Sequence, residues 1–177
     1  MVSLRRLAVL VGLLAAIKVD AAGDHRDVLA AIDARIDAVE RDVIAWCRDI
    51  HQHPELANAE RRTAALVAAH LESLGLEVQT EVAVTGVVAT LRGARAGPTV
   101  ALRADMDALP VREALDLPFA SKATGVYQGE TVPVMHACGH DAHTAMLMGA
   151  AQVLAGMRAD LRGSVRFIFQ PAEEGLP

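Results

Sequence analysis

Thr99-Val100-Ala101-Leu102-Arg103-Ala104-Asp105-Met106-Asp107 and Ser164-Val165-Arg166-Phe167-Ile168-Phe169-Gln170-Pro171-Ala172-Glu173-Glu174 follow one plan: a short β-rich run that ends in two carboxylates. In the second run Val165, Phe167 and Phe169 alternate with Arg166 and Ile168, the two-residue period of a strand. Two more β-rich runs cover Glu77–Val84 and Gly86–Leu91, and the turn Gly93-Ala94-Arg95-Ala96-Gly97-Pro98 leads into the run at Thr99–Leu102. Helical signals alternate with these runs. Val28, Leu29, Ile32, Ile36, Val39, Val43, Ile44 and Cys47 recur at spacings of three and four from His25 to about His51, where Pro54 restricts the chain. A second helix is expected from about Ala59 to Leu74, with Gly75 as its C-cap, and a third from about Thr144 to Arg158. Residues from about Pro110 to Pro133 read as loop. The pattern predicts an α/β fold with a mostly parallel sheet flanked by helices.

Composition narrows the function classes. With 53% hydrophobic residues among 177, the chain is not a disordered one, and its net charge of −5 disfavours nucleic acid as a partner. Alanine fills 34 positions while only Trp46, Phe119, Tyr127, Phe167 and Phe169 are aromatic, which suits helices packed closely on a sheet. The N-terminus reads separately. Arg5 and Arg6 precede an apolar run from Leu7 to Ile17, and small residues follow around Ala21-Ala22-Gly23. This is the pattern of a secretory signal peptide over residues 1–21, too short to span a bilayer, and it predicts a periplasmic or secreted protein. Without export the protein would be cytoplasmic.

Sites in open α/β sheets gather beyond the carboxyl ends of strands. Either acid pair alone would suit a solvated turn, but two together repel unless something positive lies between them, and a divalent ion is the simplest candidate. The segment Met135-His136-Ala137-Cys138-Gly139-His140-Asp141-Ala142-His143 strengthens that reading, with three of the seven histidines and one of the two cysteines. Thiolate, imidazole and carboxylate together suit zinc or another late divalent ion. Read as an extended segment, it puts Cys138 and His140 on one side, able to share an ion, with Asp141 or His143 behind them to fix the imidazoles. Glu174, one of the aspartates, or residues beyond position 177 would complete the ligand set. Glu173 and Glu174 point in different directions, so one can hold metal while the other takes a proton from the attacking water. That is the logic of metal-assisted amide or ester hydrolysis.

The runs Leu102-Arg103-Ala104-Asp105-Met106-Asp107-Ala108-Leu109-Pro110, Met135-His136-Ala137-Cys138-Gly139-His140-Asp141-Ala142-His143-Thr144 and Phe169-Gln170-Pro171-Ala172-Glu173-Glu174-Gly175 resemble the metal-dependent amidohydrolases of the M20 peptidase family. Together with His51-Gln52-His53-Pro54-Glu55-Leu56 they look closest to its aminoacylase, hippurate hydrolase and indole-acetyl-amino-acid hydrolase branch. The resemblance runs from about Val28 to the C-terminus. It implies that Cys138, His140 and Glu174 are metal ligands, that Glu173 is the general base, and that Asp107 is the acid that orients the site. Asp105 falls where peptidase relatives carry a ligand histidine. The implied cofactor is Zn2+ or Mn2+, two ions in the full-length enzyme, and the implied substrate is a small N-acyl amino acid that loses its acyl group. The family's catalytic domain continues past the Glu-Glu pair, with further histidine ligands and a lid domain that supports dimerisation. Residues 22–177 are therefore expected to be the N-terminal part of a catalytic domain that lacks the lid, inactive or weak alone, with a homodimer only for the full-length protein. Two rivals remain: a non-catalytic metal-binding fragment or pseudoenzyme, and an amidase with Cys138 as nucleophile and His140 or His143 as base.

Overall fold

The computed structural model describes residues 21–175, with side chains from residue 27 onward. The signal-peptide expectation lies outside the described residues, apart from Ala21. Among the described residues nine elements follow one another: α1 (Ala21–Gln52), α2 (Arg61–Ser73), β1 (Glu77–Val82), β2 (Gly86–Arg92), β3 (Arg95–Asp105), β4 (Thr124–Tyr127), β5 (Glu130–Pro133), α3 (His140–Ala155) and β6 (Arg162–Gln170). The chain divides into a unit of Met1–Arg35, described from Ala21 as the first part of α1, and a unit of Ile36–Pro177 that carries every other element. Among the described residues, no helix is long and apolar enough to cross a membrane.

The α/β class holds, and the strand order is β1-β2-β6-β3. The expectation of a mostly parallel sheet is corrected, because β1–β2 and β2–β6 pair antiparallel and only β3–β6 pairs parallel. The reason lies in the connections. Parallel neighbours need a crossover of a dozen or more residues, which the α3-bearing segment between Asp105 and Arg162 supplies. The short turn after Val82, with positive φ at Ala83 and Val84, permits only a hairpin. β6 is also an interior strand, so its apolar side chains are covered: Phe167 and Phe169 are fully buried beside Val87, Ala89 and Leu91 of β2. Their two-residue period gives the sheet one apolar face, and Val67 and Leu71 of α2 with Leu147, Met148 and Ala151 of α3 pack into the same core.

Two local differences bear on the site. The expected loop between Pro110 and Pro133 contains the β4–β5 hairpin, whose Gln128 and Gly129 both take positive φ, as a tight primed turn requires. The third helix starts at His140 and not at Thr144, because Gly139 (φ 97) turns the chain in the left-handed region before it.

Candidate metal centre

The parallel pairing of β3 with β6 sets both acid-bearing ends side by side. The ladder runs to Asp105 opposite Gln170, and Met106 N–H continues it by donating to the Gln170 carbonyl at 3.0 Å. The turn after β6 is then held from below by carboxylates. Asp107, buried, accepts the Glu173 N–H on Oδ1 at 3.0 Å and the Glu174 N–H on Oδ2 at 2.9 Å. Charge-assisted bonds of this kind are stronger than neutral ones, so the two glutamates leave the turn in fixed directions.

His140 stands at the first position of α3 with its side chain 2% exposed. Its Nδ1 lies 2.8 Å from the Asp107 carbonyl, which can only accept, so Nδ1 carries the proton and Nε2 presents its lone pair. Around Nε2 stand Asp105 Oδ1 at 3.5 Å, Glu173 Oε2 at 3.7 Å and Glu174 Oε1 at 3.8 Å. Cys138 Sγ, one His140 ring nitrogen and one Glu174 oxygen all lie within 4.8 Å of one another. The extended reading of Cys138–His140 is thus replaced by a left-handed turn at Gly139, and the two side chains still converge.

These residues fit a divalent ion on three grounds. The donors are a thiol, an imidazole and a carboxylate, a set suited to zinc. Glu174 Oε1 is buried with no hydrogen-bond partner among the described residues, although buried polar atoms are nearly always partnered. The exposed Cys138 thiol is pushed up to about 11, first by the neighbouring Glu174 carboxylate and further by the charges of Glu173 and Asp105. Such a crowd of negative groups favours the protonated thiol unless a cation offsets it, and coordination to an ion would deprotonate it outright.

A second grouping, Asp105, His140 and His143, is close enough to hold an ion as well. Asp105 accepts from His143 Nδ1 at 2.6 Å, and burial, which would raise its pKa, is outweighed by this bond and by the charges of His140 and His143, which lower it. Both groupings draw on His140, whose only free ring nitrogen is Nε2. Asp141 turns away from the cluster. It meets His51 Nδ1 at 2.7 Å, while His51 Nε2 meets Glu113 at 2.9 Å. Burial alone would lower the His51 pKa, but the hydrogen bonds to Glu113 and Asp141 win and raise it, favouring an imidazolium that donates from both nitrogens.

Residues 101–177 match the model of Peptidase family M20/M25/M40. The N-acyl-L-amino acid amidohydrolase of Geobacillus stearothermophilus is 49% identical over 142 residues, which cover 80% of this chain and 36% of that protein. Over these stretches the chain is similar to the M20 peptidase family. Thermostable carboxypeptidase 1 of Saccharolobus solfataricus is 47% identical over 149 residues, covering 84% of this chain and 36% of that one. The crystal structure of the Bacillus subtilis YXEP protein, described as a dinuclear metal binding peptidase from the M20 family, superposes with a TM-score of 0.69 at 45% identity over 78% of this chain and 36% of its own. The chain thus spans little more than a third of the length of each.

Several residues that shape the site carried no signal of that role. His51 and Glu113 tie the loop after Pro110 to the start of α3, but the sequence marked His51 only as part of a motif and Glu113 not at all. Glu55, in the same motif, caps α2 by accepting the N–H groups of Arg62 and Thr63. The Glu55 carbonyl also accepts the Ala108 N–H at 2.8 Å, pinning the chain just after Asp107. His136 is buried with neither ring nitrogen bonded among the described residues, and burial, its largest influence, pushes its pKa down to about 4. Glu60, a fully buried carboxylate at the head of α2, carried no sequence signal that would have found it.

Proposed function

We propose that this chain supplies part of the catalytic centre of a metal-dependent amidohydrolase that cleaves the amide bond of N-acyl amino acids. Cys138, His140 and Glu174 hold the ion, and Glu173 serves as general base. The observation that carries the reading is the orphaned, buried Glu174 Oε1 beside Cys138 and the free Nε2 of His140, with Glu173 Oε2 3.7 Å from that same nitrogen. Zn2+ or Mn2+ bound there would polarise the scissile carbonyl and lower the pKa of water toward about 7. The chain's own residues do the rest. Asp107 holds both glutamates by their backbones, the Asp107 carbonyl fixes the His140 tautomer, and Glu173, with its side chain 39% exposed, reaches the solvent side to take a proton and pass it to the leaving amine. The named activities of the amidohydrolase and the carboxypeptidase above both break a bond to an amino acid, which supports this substrate class.

The cysteine-nucleophile alternative is disfavoured by the upward shift of the Cys138 thiol, since a reactive cysteine needs its pKa lowered. Chelation separates the two. Hydrolysis of N-acetyl amino acids by the enzyme carrying these residues should vanish after dialysis against a chelator and return with Zn2+ or Mn2+. Activity indifferent to the chelator would instead support the thiol. Three donors leave the fourth position of a tetrahedral site to water, as catalysis requires, but the chain spans only 36% of the Geobacillus stearothermophilus relative's length, so the 177-residue chain alone is expected to turn over weakly or not at all. Dimerisation is proposed for the longer protein only. Export is proposed from Arg5, Arg6 and the Leu7–Ile17 run, and N-terminal sequencing of the mature protein tests it: a first residue near Ala22 is expected, and an intact Met1 would count against it.

A further inference from the structure

Three consecutive backbone N–H groups in the turn after β6 end on carboxylate oxygens. Those of Glu173 and Glu174 go to Asp107, and that of Ala172 goes to Glu60 Oε1 at 2.9 Å. Glu60 is 0% exposed, and its other oxygen accepts the Thr85 hydroxyl at 2.5 Å. It stands at the N-cap of α2 yet makes no capping bond, because Glu55 performs that task from the preceding loop. Its carboxylate is aimed away from its own helix, at a residue 112 positions later. Ala172 itself takes φ 52, in the left-handed region that residues with a Cβ enter rarely, so the turn does not adopt this shape by local preference. Pro171 before it is packed against Gly86, where an added Cβ would come within 2.9 Å of the proline ring. Burying a carboxylate is costly unless its oxygens are bonded, and an apolar residue would fill the space at less cost.

We infer that Glu60 is a positioning residue for the metal centre: by holding Ala172 in its left-handed turn it sets the directions from which Glu174 reaches the ion and Glu173 reaches the substrate. This rests on the metal reading of Cys138, His140 and Glu174. Asp107 fixes the amides of the two glutamates, and Glu60 fixes the residue from which they spring.

Zn2+ affinity of the 177-residue chain, measured by competition with a chromophoric chelator, tests it in four proteins: the unaltered chain, Cys138→Ser, Glu60→Leu and Thr85→Val. Leucine fills the buried space but removes the acceptor of the Ala172 N–H. Glu60→Leu is expected to unfold cooperatively with native far-ultraviolet dichroism yet bind Zn2+ about 10–100-fold more weakly. Thr85→Val removes only the hydroxyl partner, and should lower the unfolding midpoint while leaving Zn2+ affinity at the parent value. Parent-like affinity in Glu60→Leu overturns the positioning role, as does a Thr85→Val protein weakened as much as Glu60→Leu, which would mean general loosening. Parent-like affinity in Cys138→Ser would overturn the metal reading itself, a distinct failure. Should Glu60→Leu not fold, hydrogen exchange in the unaltered chain decides. An Ala172 amide protected as well as the amides of β6 supports the inference, and exchange at the free rate overturns it.

Discussion

Glu173→Gln should lower kcat by about a thousandfold in the metal-loaded enzyme and leave its metal content unchanged. The expectation follows from how the residue is held. Its backbone N–H is anchored on Asp107 Oδ1, so the turn keeps its shape whatever the side chain carries. Its carboxylate, 3.7 Å from His140 Nε2 and 39% exposed, makes no hydrogen bond among the described residues that the fold depends on. Glutamine preserves volume and removes only the ability to accept a proton. Steady-state kinetics beside elemental analysis of the metal checks both halves. Unchanged kcat would reject Glu173 as the base, and loss of metal along with activity would make it a ligand.

Asp107→Ala should strike stability and metal binding together. The substitution leaves the Glu173 and Glu174 N–H groups without their acceptors and empties a site whose side chain is 0% exposed. Hydrogen bonds to a charged group each contribute about 1.5–3 kcal/mol, so a loss of about 3 kcal/mol in urea unfolding is expected after partial relaxation. Because the same bonds direct Glu174, Zn2+ affinity should fall by about 10–100-fold. Asp107→Asn is the control for geometry, since it keeps an acceptor for one of the two amides and should show a smaller loss on both measures. A variant with native stability and native affinity would show that the Glu-Glu turn holds its shape without Asp107.

The parts of this account that the sequence reveals are those with local causes. The alternation of Val165, Phe167 and Phe169 is set by the strand's own period, and Phe167 and Phe169 do form the buried face of β6. The density of Cys138, His140 and His143 is visible because chemistry was concentrated in a few positions. Strand direction was less legible. The antiparallel pairing of β2 with β6 joins residues some eighty positions apart, such as Val87 with Phe169, and no local pattern encodes that choice. The left-handed turn at Gly139, which begins α3 at His140, could have been suspected from the glycine but not distinguished from an extended segment. Glu60 was hidden for the strongest reason. At the head of an amphipathic helix a glutamate reads as solvated, and only its long-range partners Thr85 and Ala172 explain its burial.

X-ray absorption at the zinc edge of the metal-loaded chain tests coordination by Cys138, His140 and Glu174, because it reads the atoms around the ion independently of turnover. Coordination through Cys138, His140 and Glu174 predicts one sulfur at about 2.3 Å with nitrogen and oxygen neighbours at about 2.0–2.2 Å, and loss of the sulfur shell in Cys138→Ser. A first shell of nitrogen and oxygen alone in the unaltered chain would contradict it.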